Sequence, residues 1–195
     1  MKSLVSSTDL VAYRNGRALF APFTMNLYKG DISVIRGSNG SGKSTLLTCF
    51  THQYFDFSGT FDCCQMMSYL PQGLQHPRTI CLADLAPLVV GYDIDNYHRL
   101  LDVFGISLRL QTKLPTLLSG GQIQRIRMLL AMLRSHEVLL LDEPFANIDR
   151  ASCEQISEEL RQSRSTRATV IISHHIDGQD LTFQGAREFE LRSQN

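Results

Sequence analysis

The sequence predicts an α/β fold built on a parallel sheet, and three observations carry that prediction. Short apolar runs at residues 32–35, 66–70, 138–141 and 169–172 alternate with helix-like segments, the order from which parallel sheets are wound. The run at 138–141 is continuously apolar, as in a strand covered on both faces. Three of the runs end in polar residues: a glycine-rich stretch after the first, Asp142-Glu143 after the third and Ser173-His174-His175 after the fourth. Ligands of such sheets bind beyond the carboxyl ends of the strands, so these groups are expected to converge on one ligand.

The N-terminal third reads as strands and tight turns. Residues 10–14 lead into Asn15-Gly16, a strong hairpin signal, and then into residues 18–20. In Phe23-Thr24-Met25-Asn26-Leu27 the apolar residues alternate, which buries one face. Lys29-Gly30-Asp31 turns the chain into Ile32, Val34 and Ile35, and these feed Gly37-Ser38-Asn39-Gly40-Ser41-Gly42-Lys43-Ser44. That G-x-x-x-x-G-K-S run is a phosphate cradle. Its glycines let successive N–H groups point at one anion, and the helix after it adds about half a positive charge at its N-terminus. Lys43 is placed to reach the β- and γ-phosphates, and the Ser44 hydroxyl to hold Mg²⁺.

Extended chain restarts at Ser58-Gly59-Thr60, and the strand at 66–70 ends at Pro71-Gln72. The character then turns helical. Asp93-Ile94-Asp95-Asn96 starts a helix with Tyr97, Leu100, Leu101 and Phe104 on one core face and Gly105 as its stop. Pro115 breaks the pattern before Leu118-Ser119-Gly120-Gly121-Gln122, and the next helix is expected to bury Ile123, Ile126, Leu130 and Leu133 along one face. Asp149 is a helix N-cap ahead of Cys153, Ile156 and Leu160.

Bulk properties narrow the function classes. A chain of 195 residues has room for one domain and a sizeable core. Nineteen basic residues balance nineteen acidic ones, which gives no electrostatic reason for nucleic-acid binding. The small cluster Arg161, Arg164 and Arg167 reads as a solvated helix end. Five cysteines without C-x-x-C spacing read as reduced thiols of a cytosolic protein. No apolar run approaches the ~20 residues that cross a bilayer, and the first residues lack a signal peptide's apolar core, so membrane work calls for a partner.

With these residues in view, the chain resembles, along nearly its whole length, the ATP-binding subunit of ABC-type ATPases. Leu118 to Gln122, followed by Gln124-Arg125, matches the family's signature motif. The resemblance implies a P-loop NTPase of ABC type: a RecA-like core with an N-terminal antiparallel β subdomain (together residues 1–72 and 119–195) and a short helical subdomain (73–118). It implies ATP and Mg²⁺ as ligands, with the cradle Gly37 to Ser44 and the adjoining Thr45 around the ATP. It also implies a head-to-tail pair, with a second copy or a similar ATPase subunit, in which Ser119, Gly120, Gly121 and Gln122 face the ATP of the partner.

Residue by residue, Asp142 matches the Walker B aspartate that holds Mg²⁺ and Glu143 the carboxylate that polarises the attacking water. Gln72 matches the Q-loop glutamine that senses metal and water. His174 matches the switch histidine at the γ-phosphate; His175 replaces the aspartate common there, which leaves open which of the two histidines points inward. Asp149 lies in a stretch similar to the D-loop at the dimer interface. Tyr13 lies at about the right distance before the phosphate loop to stack on adenine, with packing on the sheet as the rival reading and Phe20 as the alternative residue. The family implies a separate transmembrane permease, placing the chain in the cytoplasm on the inner face of the membrane. The segment 73–118 would dock there, with Gln72-Gly73-Leu74 and residues 82–90 supplying a groove. The short length, the Gly-Ser-Asn-Gly form of the cradle and the Asp-Glu-Pro-Phe run are similar to the haem-exporter ATPase of cytochrome c maturation. A soluble ABC ATPase of iron–sulphur or other macromolecular assembly is the alternative.

Overall fold

Asn15 and Gly16 take φ angles of 54° and 73°, the left-handed pair that a two-residue hairpin turn needs. In the computed structural model, which describes residues 2–73, 78–89, 91–172, 183 and 185–194, they join β1 (Val5–Arg14) to β2 (Arg17–Ala18). Tyr13 lies opposite Ala18 and Arg14 opposite Arg17. Strand β1 starts well before residue 10, where the sequence pattern begins. Residues 6–9 are all polar, so the buried Ser7 gives no apolar signal, and a bulge then breaks the phase, with Asp9 at φ 48° and the register shifting there against both neighbours.

Strand β3 (Phe23–Leu27) alternates buried and exposed residues as expected and pairs antiparallel with β1. The chain continues through β4 (Ile32–Arg36) and helix α1 (Lys43–Phe50), and then β5 (Phe57–Cys63) pairs antiparallel with β1 as well. Next come β6 (Met67–Leu70), the short α2 (Leu82–Leu85), α3 (Ile94–Val103), the short α4 (Leu108–Gln111) and α5 (Gly120–Leu133). The last elements are β7 (Val138–Asp142), α6 (Arg150–Gln162), β8 (Ala168–Ile172) and β9 (Arg187–Glu190).

A second sheet runs β6-β7-β8-β4-β9, and every pairing in it is parallel. All five residues of β7 and of β8 are buried, because both faces of the sheet are covered. One core joins α1 and the antiparallel sheet to Val138, Leu140, Val170 and Ile172. On the opposite face a second core joins α3, α5 and α6 to Leu139, Leu141 and Ile171. Helix α3 follows the sequence closely: Asp93 caps it, Tyr97, Leu100, Leu101 and Phe104 are buried, and Gly105 ends it at φ 58°.

Three expectations need correction. Helix α5 does not bury a single stripe: Gln124, Met128, Leu129, Ala131 and Met132 are buried, whereas Ile123 and Leu130 are half-buried. Neighbours surround it, because it lies between the sheet and α3. The arginine cluster after α6 is not simply solvated. Arg164 Nε donates to the Gly30 carbonyl at 2.7 Å, and Arg167 Nη1 donates to the Met132 carbonyl at 3.2 Å. In the run at 82–90, Leu82 and Ala86 point into the core, while Pro87 and Leu88 are exposed; Val90, like Leu74, lies outside the described residues.

Candidate functional site

The loop between β4 and α1 surrounds one end of a cleft of about 1080 Å³, a volume in the range of small-molecule sites. Residues 37–45 all line it, together with Gln72 and Glu143. Gly42, the residue before α1, has φ 90°, and a side chain there would meet Phe20 Cδ1 at 2.7 Å. Both the left-handed backbone and the wall behind it demand glycine. Phe20 itself is fully buried beneath the loop. Lys43 Nζ donates to the carbonyls of Gly37 at 2.7 Å and Ser38 at 2.8 Å, which holds its ammonium across the loop. Burial lowers its pKa, while the charges of Glu143 and Asp142 raise it.

Asp142 ends β7 and is 2% exposed. Burial raises its pKa against the pull of the Ser44 hydroxyl and the Gln72 backbone. Neither of its carboxylate oxygens completes a hydrogen bond among the described residues, although Ser44 and the Tyr69 hydroxyl flank it. A buried carboxylate with unsatisfied oxygens beside a hydroxyl is an oxygen donor set suited to a hard divalent cation. Glu143 follows at φ 50°, a left-handed position rarely taken by a non-glycine residue, with its backbone N–H donating to the Ile172 carbonyl at 3.1 Å. Gln72 Nε2 donates to Glu143 Oε2 at 2.8 Å. The amide oxygen of Gln72 is therefore turned away from that carboxylate.

Helix α5 braces this arrangement. Gln124 Nε2 donates to the Pro144 carbonyl at 3.0 Å, Arg127 Nη1 donates to Gln124 Oε1 at 2.9 Å, and Arg127 Nη2 donates to the Pro71 carbonyl. The residues beside Gln72 and Glu143 are thus tied to one helix. At the start of that helix Ser119 is the N-cap in a reciprocal capping box with Gln122. Ser119 and Gly120 are exposed, and none of residues 119–122 is among the described residues lining the cleft. Gly121 packs on the turn before α6: a Cβ there would meet the Asn147 carbonyl oxygen at 2.4 Å. Asp149 caps α6, accepting from the Ser152 N–H at 2.9 Å.

Tyr13 is not among the cleft-lining residues; its hydroxyl shares a hydrogen bond of 3.0 Å with Ser58 Oγ. Its strand neighbour Arg14 and Leu19 of the following turn line the cleft instead. At the other edge stand Arg36, Glu188, Phe189 and Glu190. The Arg36 guanidinium pairs with Glu188 at 3.2 Å across β4 and β9. None of these was marked by the sequence, and strand parity is the signal that could have exposed Arg14, since adjacent residues of a strand face opposite ways. His174 and His175 lie outside the described residues.

A parallel sheet that delivers a phosphate cradle and an Asp-Glu pair to one cleft, and carries a second glycine-rich helix start elsewhere, defines an ATPase of the P-loop class. Residues 20–146 match the model of the ABC transporter family, and the chain belongs to that family. It is 28% identical over 177 residues to the phospholipid-transporting ATPase ABCA3 of Rattus norvegicus, with 81% of this chain and 10% of that protein covered. It is also 28% identical over 197 residues to the ergothioneine transport ATP-binding protein EgtV of Helicobacter pylori (strain G27), with 89% of this chain and 91% of that protein covered. The chain thus spans a tenth of the first relative and nearly all of the second. A solved ATP-binding subunit of an ABC transporter shares the fold, with a TM-score of 0.82 at 19% identity over 97% of this chain and 86% of that one. The protein carries the ATP-binding and ATP-hydrolysing domain of an ABC transporter. Such domains work with transmembrane permease partners, and no helix among the described residues is long and apolar enough to cross a membrane.

Proposed function

We propose that the chain works as one of a head-to-tail pair and drives transport through a separate transmembrane subunit on the cytoplasmic face of the membrane. The observation that carries this reading is the separation of the two glycine-rich loops. Residues 37–45 line the cleft, whereas Ser119 to Gln122 present an exposed helix N-terminus elsewhere on the surface. An exposed N-cap with free N–H groups suits an anion, and a second copy related by two-fold symmetry would bring it to the γ-phosphate of the first.

In that pair the cradle amides and Lys43 bind the phosphates, with Ser38, Asn39, Ser41 and Thr45 around them. Ser44, Asp142 and, through its amide oxygen, Gln72 would hold Mg²⁺, which neutralises charge on the transferring phosphoryl group. Glu143 orients the attacking water, and Gln72 holds Glu143. We assign His174 to the γ-phosphate and Asp149 to the subunit interface. At the base, Tyr13 remains the aromatic candidate of the hairpin and would have to leave Ser58 to reach adenine. ATP contacts both halves and so favours the closed pair; hydrolysis removes that preference.

A second groove of about 690 Å³ lies on the core next to Pro71, between the end of α1, β6 and Arg134. It supports docking of the permease on this side, close to Gln72. Glu143→Gln tests the chemistry: phosphate release should fall by at least ~10²-fold, the scale of a lost general base, with ATP binding retained. Turnover at the parental rate would remove Glu143 from the mechanism.

A further inference from the structure

The parallel ladder between β6 and β7 stops short of the cleft. Its last pair is Leu70 opposite Leu141, and the next residue on the β6 side, Pro71, has no N–H with which to continue it. Glu143 stays attached to the sheet, because its N–H donates to the Ile172 carbonyl at 3.1 Å. Gln72 lies beyond the ladder and is exposed, and Gly73 follows it at φ 71° in open space. Even so, Gln72 Nε2 donates to Glu143 Oε2 at 2.8 Å.

Helix α5 supplies the missing tie. Gln124 and Arg127 stand three residues apart and so share a helix face. Arg127 Nη2 donates to the Pro71 carbonyl, one peptide bond before Gln72, and Arg127 Nη1 donates to Gln124 Oε1 at 2.9 Å. Gln124 Nε2 in turn donates to the Pro144 carbonyl at 3.0 Å, one residue after Glu143. Three bonds thus run from one flank of the Gln72–Glu143 contact to the other. Arg127 is costly in this place: its Nε is buried without a partner, and the groups it does meet are neutral oxygens. An apolar side chain could fill the space without that cost; what the arginine adds is its donors.

We propose that Arg127 is a positioning residue for hydrolysis: through Pro71 and Gln124 it holds Gln72 against Glu143 where the sheet no longer does. Without it the Pro71 carbonyl loses its donor, Gln72 moves with the open chain after it, and the carboxylate loses a fixed neighbour. A small misplacement of a reacting group by a residue outside the chemistry can cost on the order of 10²-fold in rate. The inference rests on the assignment of Glu143 to the attacking water and extends it to α5.

The test is a double-mutant cycle in steady-state phosphate release by the full chain, with kcat and KM for ATP measured for the parent, Arg127→Met, Gln72→Ala and the double variant. Methionine keeps the length of the side chain and removes every donor. Arg127→Met should lower kcat by between about 10- and 100-fold and leave KM within about twofold of the parent, since the cradle is untouched. In the Gln72→Ala background it should lower kcat by no more than about twofold further, because the group it positions is already gone. Parental kcat in Arg127→Met would overturn the proposal, and so would a loss confined to KM. A full, additive loss in the double variant would overturn it too, since Arg127 would then act on the fold rather than through Gln72. If urea unfolding shows that Arg127→Met does not fold, Arg127→Lys, which keeps the charge and the stem but cannot serve both oxygens, goes through the same cycle with the same criteria. Glu143→Gln in the same assay separates the two failures: parental turnover there removes the assignment of Glu143 and this inference with it, whereas loss there beside parental kcat in Arg127→Met removes this inference alone.

Discussion

The loop at residues 37–44 turns inward and the loop at 119–122 turns outward, although both are glycine-rich starts of helices. The first leans on its own chain: Phe20 backs Gly42, and Lys43 closes across the carbonyls of Gly37 and Ser38. The second is held by its own side chains through the Ser119–Gln122 capping box and touches the rest of the protein at Gly121. One loop finds its ligand-facing geometry within the chain. The other is an exposed surface, and on the proposed head-to-tail pairing its anion would come from the second subunit, so that each chain would supply half of each of two sites.

The sharpest way to break this comparison is to add one methyl group to each loop. Gly42→Ala should abolish nucleotide binding by a single chain, because alanine is strained at φ 90° and its Cβ would meet Phe20 at 2.7 Å. Gly121→Ala should leave single-chain binding intact and lower turnover on the order of 10²-fold, the scale of a displaced transition-state donor. Its methyl would meet the Asn147 carbonyl at 2.4 Å and push the signature loop away from the turn before α6. Equilibrium nucleotide binding and phosphate release on both variants would separate the two roles. If Gly121→Ala weakened single-chain binding as much as Gly42→Ala, the loops would not be independent.

The far end of α5 makes the contrast sharper still. Beyond it His136 is 9% exposed, its Nε2 accepting from Arg167 Nη1 at 2.9 Å and its Nδ1 donating to the Arg134 carbonyl. Burial first, then the Arg167 charge, pulls its pKa down from 6.5 to about 4. The folded state therefore keeps His136 neutral. Its contribution is fully present above the unfolded pKa and is lost as pH falls from 6.5 toward 4. Between pH 7.5 and 5 this should cost about 2 kcal/mol of stability, read by urea unfolding, and His136→Gln should lose much less over the same interval. An equal acid loss in the variant would mean that other groups govern it.

What the sequence revealed and what it concealed divide along the same lines as the two loops. Local chemistry was legible: Asn15-Gly16 for the hairpin, Asp93 and Asp149 for the caps, and continuous apolar runs for β7 and β8. Strand β9 was not legible, because Arg187-Glu188-Phe189-Glu190 lies at the sheet's edge with little burial and so has no apolar pattern. Yet it places Glu188 and Phe189 at the cleft. The contact of Gln72 with Glu143 spans 71 residues, and no spacing rule reaches that far; only the resemblance put them in one site. Arg14 was hidden by one residue of strand parity, where attention fell on the aromatic neighbour.

The smallest effect concerns the cap of the outward loop. Ser119 Oγ accepts from the Gln122 N–H at 3.3 Å, and Gln122 Oε1 accepts from the Ser119 N–H at 3.0 Å. Ser119→Ala removes the first bond and should cost about 1 kcal/mol of stability, as other N-cap losses do. Ser119→Thr keeps a hydroxyl and should recover most of it. Since the loop is exposed and the cradle is formed elsewhere, neither change should alter nucleotide affinity of the single chain. On the proposed pairing the same Ser119→Ala should lower turnover, because the hydroxyl that caps the helix would also be the one offered to the partner's phosphate. A variant that lost stability yet hydrolysed ATP at the parental rate would leave Ser119 as a cap and nothing more.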